Sequence, residues 1–111
     1  MNKYGNRKTE VDGILFDSKA EARRYNELKI MEHCGLIHGL TLQPPFVVVD
    51  GKKWSDGRKH RDTVYRADFQ YFDENGKIVV EDVKGFRTEA YRIKRELMKE
   101  RYNIEVREVR A

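Results

Sequence analysis

Cysteine occurs once in 111 residues, at Cys34, so no internal disulfide can staple the chain, and a reducing cytoplasm is the expected setting. Proline occurs twice, side by side at Pro44-Pro45, which confines any proline-imposed break to one place. No apolar run exceeds a few residues, far short of the ~20 that a membrane helix needs. The opening stretch MNKYGNRKTEVDG carries charge but no apolar h-region, so a signal peptide is not expected either. Internal repeats, low-complexity tracts, linkers and a glycine-rich phosphate loop are all lacking. The length suffices for one hydrophobic core and not two, and residues 1–111 are expected to form one domain.

Charge is what the chain has in abundance. Charged residues make up 38% and hydrophobic ones 39%, with a formal net charge of +4 and a pI near 9.2. Disorder is excluded because the apolar residues fall in periodic runs with aromatics among them. The basic balance points mildly to a polyanionic partner such as nucleic acid.

Local signals order the elements. Asp12-Gly13 marks a tight turn within residues 8–16, the N-terminal hairpin. Ser18-Lys19-Ala20-Glu21 has the form of a capping box, opening a helix that runs to about Cys34 and stops at Gly35. After the Pro44-Pro45 break, residues 46–50 read as a short strand and 51–61 (GKKWSDGRKHR) as a basic, turn-rich loop. Strands at 63–72 and 77–83 follow, joined by the turn Asp73-Glu74-Asn75-Gly76. Thr88 caps a second helix to about Tyr102, and residues 104–109 alternate like a last strand. Hairpin, helix, three strands, helix, strand is an α/β order with a mixed sheet.

Two strands carry the chemistry. On 63–72 the alternation puts Tyr65, Ala67, Phe69 and Tyr71 on one face and Val64, Arg66, Asp68, Gln70 and Phe72 on the other. On the next strand Ile78, Val80, Asp82 and Lys84 share a face, and Val79, Glu81 and Val83 the opposite one. Antiparallel pairing about the Asp73–Gly76 turn brings Asp68 to Asp82, with the Lys84 ammonium beside them. Carboxylates so close repel and raise one pKa unless a cation lies between them, and hard oxygen donors favour Mg²⁺ or Mn²⁺. A charge in mid-strand is ordinarily solvated or paired, but three at this spacing, followed by Gly85, favour a site. Glu81 is a rival ligand ranked below Asp82 because it faces away from Lys84.

The pair of motifs Asp68 and Asp82-Val83-Lys84 resembles the bipartite PD-(D/E)XK nuclease signature, with Ala67 in place of the proline and Asp82 in place of the commoner glutamate. Across nearly the whole chain, Tyr4-Gly5-Asn6-Arg7, the segment Phe16-Asp17-Ser18-Lys19-Ala20-Glu21, Leu42-Gln43-Pro44 and Val80-Glu81-Asp82-Val83-Lys84-Gly85 resemble a phage-encoded family of small nucleases. That family is in turn similar to Holliday junction resolvases and the nuclease subunit of Tn-type transposases. The resemblance implies a restriction-endonuclease-like core, a bacterial cytoplasmic setting and phosphodiester hydrolysis. It implies Mg²⁺ (or Mn²⁺ in its place) held by Asp68, Asp82 and the Val83 carbonyl, with Lys84 orienting the attacking water and stabilising charge on the phosphate. Many members place a further acid on the first helix, which implies Glu21. That residue also occupies the capping-box position, yet it lies among Ala20, Tyr25, Leu28 and Met31 on the stripe expected to face the sheet. Gln43 is equally a site-lining residue and a turn residue.

Lys52, Lys53, Arg58, Lys59, His60 and Arg61 cluster in one loop around Trp54, a pattern suited to phosphates and an exposed base, although a solvated hairpin loop has the same composition. On the second helix Ala90, Ile93 and Leu97 are the expected core stripe, and Arg87 and Lys94 the expected phosphate contacts. His33, Cys34 and His38 lack a fourth ligand and a recognised zinc spacing. The chain is thus expected to be a Mg²⁺-dependent DNA endonuclease, acting on branched DNA among other substrates, as a homodimer if it cuts symmetric junctions. The alternatives are a DNA-binding module that does not cut and a nuclease subunit that needs a partner.

Overall fold

The structure is a computed structural model that describes residues 8–111; Tyr4-Gly5-Asn6-Arg7 lies outside the described residues. It is a small α/β fold with two helices, a mixed sheet and an N-terminal hairpin. In the hairpin, β1 (Thr9–Val11) pairs antiparallel with β2 (Ile14–Phe16) through Asp12 (φ 54°) and Gly13 (φ 75°), the two left-handed positions that a two-residue turn matched to strand twist requires. Tyr25 docks this turn by donating its hydroxyl to Asp12 Oδ2 at 3.0 Å.

Helix α1 (Lys19–His33) starts where Ser18 Oγ accepts the Glu21 N–H at 3.1 Å. It ends in a Schellman arrangement, with Gly35 at φ 79° and the Leu36 N–H bonded back to the Met31 carbonyl at 2.9 Å. Its buried face is Ala22, Tyr25 and Leu28.

Five strands, not three, separate the helices: β3 (His38–Leu42), β4 (Pro45–Val49), β5 (Thr63–Arg66), β6 (Phe69–Phe72) and β7 (Ile78–Lys84). Helix α2 (Glu89–Tyr102) then crosses over to β8 (Arg107–Arg110), which lies parallel to β7. The order β3-β6-β7-β8 makes the mixed sheet, while β4 and β5 form a two-stranded arm. The expected strand 63–72 is therefore broken at Ala67-Asp68. The cause lies opposite, where Gln43 adopts φ 49° and neither Pro44 nor Pro45 has an N–H to give a ladder. Pairing continues through the crease, since the Gln43 N–H reaches the Asp68 carbonyl (2.9 Å) and the Ala67 N–H the Pro44 carbonyl (3.2 Å).

The crease splits the apolar stripe. Tyr65, Ala67, Phe69 and Tyr71 are all buried, but Tyr65 and Ala67 pack with Val48, Val80, Tyr91, Met98 and Val106 on the α2 side. Phe69 and Tyr71 pack with Phe16, Ala22, Tyr25, Leu28, Ile37 and Val83 on the α1 side.

On α2 the expected core stripe is displaced. Tyr91 and Met98, one heptad apart, are buried, and Leu97 is partly buried, whereas Ala90 is exposed and Ile93 is 44% exposed. The tyrosine takes the core position because its hydroxyl finds Glu108 Oε2 on β8 at 2.9 Å, so the ring is buried with its polar end satisfied. No helix among the described residues is long and apolar enough to cross a membrane.

Candidate metal centre

β6 and β7 pair in the register Phe69↔Glu81 and Gln70↔Val80, and one more step sets Asp68 opposite Asp82. Asp68 does not sit mid-strand as expected; it occupies the crease before β6, half-buried. There its backbone N–H still reaches the Glu81 carbonyl (3.2 Å), and its side chain turns back so that Oδ2 accepts the Val83 N–H at 2.7 Å. Because N–H and C=O of one strand residue point to the same edge, the Val83 carbonyl is directed to that edge too.

Asp82 is 2% exposed. Its Oδ2 accepts the Tyr65 hydroxyl, and Oδ1 lies 3.3 Å from Lys84 Nζ. The ammonium in turn rests 4.3 Å above the centre of the Tyr91 ring. Burial, together with the hydrogen bond and charge of Asp82, pushes the Asp68 carboxyl up to about 8. Two acids are thus held so close that ionising both is opposed, which is the condition a divalent cation relieves.

Glu21, in the first turn of α1, is half-buried. Burial raises its pKa first and Asp17 next; Asp82 adds to the rise and Lys84 counters it, so its carboxylate lies within electrostatic reach of both. Its own backbone N–H is the donor in the Ser18 cap, so a place in the helix start and proximity to the site coexist. Even so, among the described residues no group of three or more His, Cys, Asp or Glu is gathered as a ready-made metal cage. Asp68 and Asp82 are a close pair with Glu21 standing off, and His33, Cys34 and His38 are all exposed. Hard carboxylate and carbonyl oxygens beside an ammonium nevertheless suit a small divalent cation that keeps several waters, as Mg²⁺ does.

Glu81, the rival ligand, points to the α1 side and is fully buried. Arg24 binds it bidentately, Nε to Oε1 at 2.8 Å and Nη2 to Oε2 at 2.7 Å; the Tyr71 hydroxyl donates to Oε2, and Arg107 Nη1 is 3.9 Å away. Its charge is spent internally. Gln43 is exposed, and its contribution is the backbone bond to Asp68 at the crease.

The basic residues divide. Lys52, Lys53, Arg58, Lys59 and Arg61 are exposed on the β4–β5 connection, with Trp54 57% exposed and stacked on His60 at 3.7 Å between ring centres. This loop joins β5 at Thr63, the end opposite Asp68, roughly 16 Å away along an extended strand. Arg87 is paired with Glu108, which also meets Arg95 at 3.3 Å, while Lys94 is half-buried with no ion pair among the described residues. Sequence reasoning missed Arg24, Tyr65 and Glu108 as neighbours of the site. A buried tyrosine demands a partner for its hydroxyl, and that signal could have found Tyr65.

No curated protein and no solved structure matches the chain. Residues 1–110 match a family described as "Protein of unknown function (DUF1064)", and with nearly the whole length covered the chain belongs to that family.

Proposed function

We propose that this protein is a Mg²⁺-dependent endonuclease with a restriction-endonuclease-like core that hydrolyses phosphodiester bonds in DNA, including branched DNA, in a bacterial cytoplasm. The observation that carries this reading is the convergence of Asp68 and Asp82 with Lys84 Nζ 3.3 Å from Asp82 Oδ1. Asp68, Asp82 and the Val83 carbonyl would hold the cation, with Glu21 contributing from α1. When bound, the cation supplies Lewis acidity toward a phosphoryl oxygen. The chain's residues do the rest. Tyr65 fixes Asp82 by occupying Oδ2, which leaves Oδ1 toward Lys84. Lys84, steadied over Tyr91, offers its ammonium protons to a water or a phosphate oxygen and stabilises negative charge growing there. The exposed cations of residues 51–61 attract the DNA backbone, and Trp54 offers the outer face of its stack to a base.

Supercoiled plasmid and a four-way junction, each incubated with Mg²⁺, Mn²⁺ or EDTA, test this. Cleavage is expected with either metal and none in EDTA. Cleavage that persists in EDTA, or that survives Asp82→Ala and Lys84→Ala, overturns the reading. A second reading has its own support in the pairing of two acids rather than three: a basic module that binds DNA without cutting, or a nuclease subunit that cuts only with a partner protein. Retarded migration of DNA without cleavage under every metal condition favours it. Sedimentation tests the homodimer that symmetric junction cutting would require.

A further inference from the structure

Among the described residues, the Arg24–Glu81 contact is the one polar side-chain link between α1 and β7. The other polar side chains of α1 that reach a strand or turn go elsewhere: Tyr25 to the β1–β2 turn and Glu32 to the Leu40 N–H on β3. Arg24 lies three positions after Glu21, so the two are neighbours on one helix face. Glu81 is the residue before Asp82. The path from one acid to the other is therefore one helical turn, a two-bond fork and one peptide.

We propose that the Arg24–Glu81 fork is a positioning device that sets the Glu21 carboxylate against the Asp68–Asp82 pair, so that divalent-cation affinity depends on Arg24 although Arg24 touches no cation. This rests on the metal reading above. A fully buried carboxylate is a costly way to attach a helix to a sheet, and packed apolar side chains of similar volume hold as well or better. What the fork adds is direction. Two parallel N–H···O bonds fix both the rotation of α1 about its axis and its slide along β7, whereas apolar packing tolerates small shifts of either. Tyr71 and Arg107 complete the carboxylate's shell and keep it from turning. Lysine, a point charge without the fork, keeps the ion pair and loses the register.

Mn²⁺ binding by the intact chain, followed by titration calorimetry, is the test, because it reads the site without cleavage. Arg24→Lys is expected to weaken Mn²⁺ about tenfold, the scale of losing a residue that orients a ligand. In a Glu21→Gln background the same change should move affinity less than about twofold, since the residue it positions no longer ligates; strict non-additivity is the mark of action through Glu21. The double variant Arg24→Met with Glu81→Met removes both charges together, so neither is left buried and unpaired. It is expected to fold, melting below the parent because the Tyr71 hydroxyl loses its acceptor, while still binding Mn²⁺ about tenfold more weakly. Unchanged affinity in Arg24→Lys, or an equal loss with and without Glu21, overturns the positioning role alone. Absence of Mn²⁺ binding by the unaltered chain overturns the metal reading and this inference together.

Discussion

Glu81 and Asp82 are successive residues on one strand, both nearly inaccessible to water, yet their surroundings are opposite. Glu81 meets a guanidinium fork, a tyrosine hydroxyl and a second arginine, so its charge is balanced within the protein. Asp82 meets one tyrosine hydroxyl, one lysine shared with an aromatic ring, and another acid. Burial of an acid therefore does not mark function by itself. What separates the two is how much of the charge is left for something outside the chain to neutralise.

The sharpest way to break this comparison is to delete each acid. Asp82→Ala should abolish Mg²⁺-dependent plasmid cleavage, by at least ~10³-fold, with the circular dichroism spectrum of the parent retained. Glu81→Ala should act on the fold instead, lowering unfolding free energy by about 3 kcal/mol in urea because the mostly buried Arg24 keeps only the exposed Glu27 and the Tyr71 hydroxyl loses its acceptor. If Glu81→Ala proves stable and Asp82→Ala unfolds, the division of roles is reversed. Tyr65→Phe removes the bond that fixes Asp82 and should weaken Mg²⁺, read as the concentration for half-maximal cleavage, by about tenfold.

A further effect is on pH dependence without metal. The Asp68 carboxyl rises from 3.8 to about 8 on folding, so between those values the folded chain holds the extra proton. Its contribution to stability is thus lost as pH climbs through that window, by at most about 1.4 kcal/mol per unit. Urea midpoints in EDTA at pH 6 and 7 should show the decline, and Asp68→Asn should flatten it. An unchanged slope in Asp68→Asn would remove Asp68 from the unbalanced charge beside Asp82 and so weaken the contrast with Glu81.

Much of this was legible in the sequence because the signals are local. The Asp12-Gly13 turn, the Ser18 and Thr88 caps and the period-two alternation around Asp73–Gly76 suffice to face Asp68 toward Asp82 and Lys84. What escaped is non-local or ambiguous. Strand β3 (HGLTL) alternates poorly, shifts register near Gly39 and exists by pairing with β6 some thirty residues on. The crease that divides Tyr65 and Ala67 from Phe69 and Tyr71 depends on backbone contacts with Gln43 and Pro44 across the arm. Helix α2 has apolar residues in two overlapping stripes, and only the residues it packs against on β4 and β5, with Glu108 for the tyrosine hydroxyl, decide for Tyr91 and Met98. The Arg24–Glu81 pair spans 57 positions, with no periodicity to announce it.

The enclosure of Glu81 has a practical consequence for ionic strength. Mobile ions screen charges that face water, over about 10 Å at 0.1 M, and reach enclosed pairs far less. The exposed cations at Lys52, Lys53, Lys59 and Arg61 are open to that screening, whereas the fork between α1 and β7 has one partner entirely out of solvent. Concentrated salt should therefore strip a bound polyanion from the arm while the helix stays seated on its sheet.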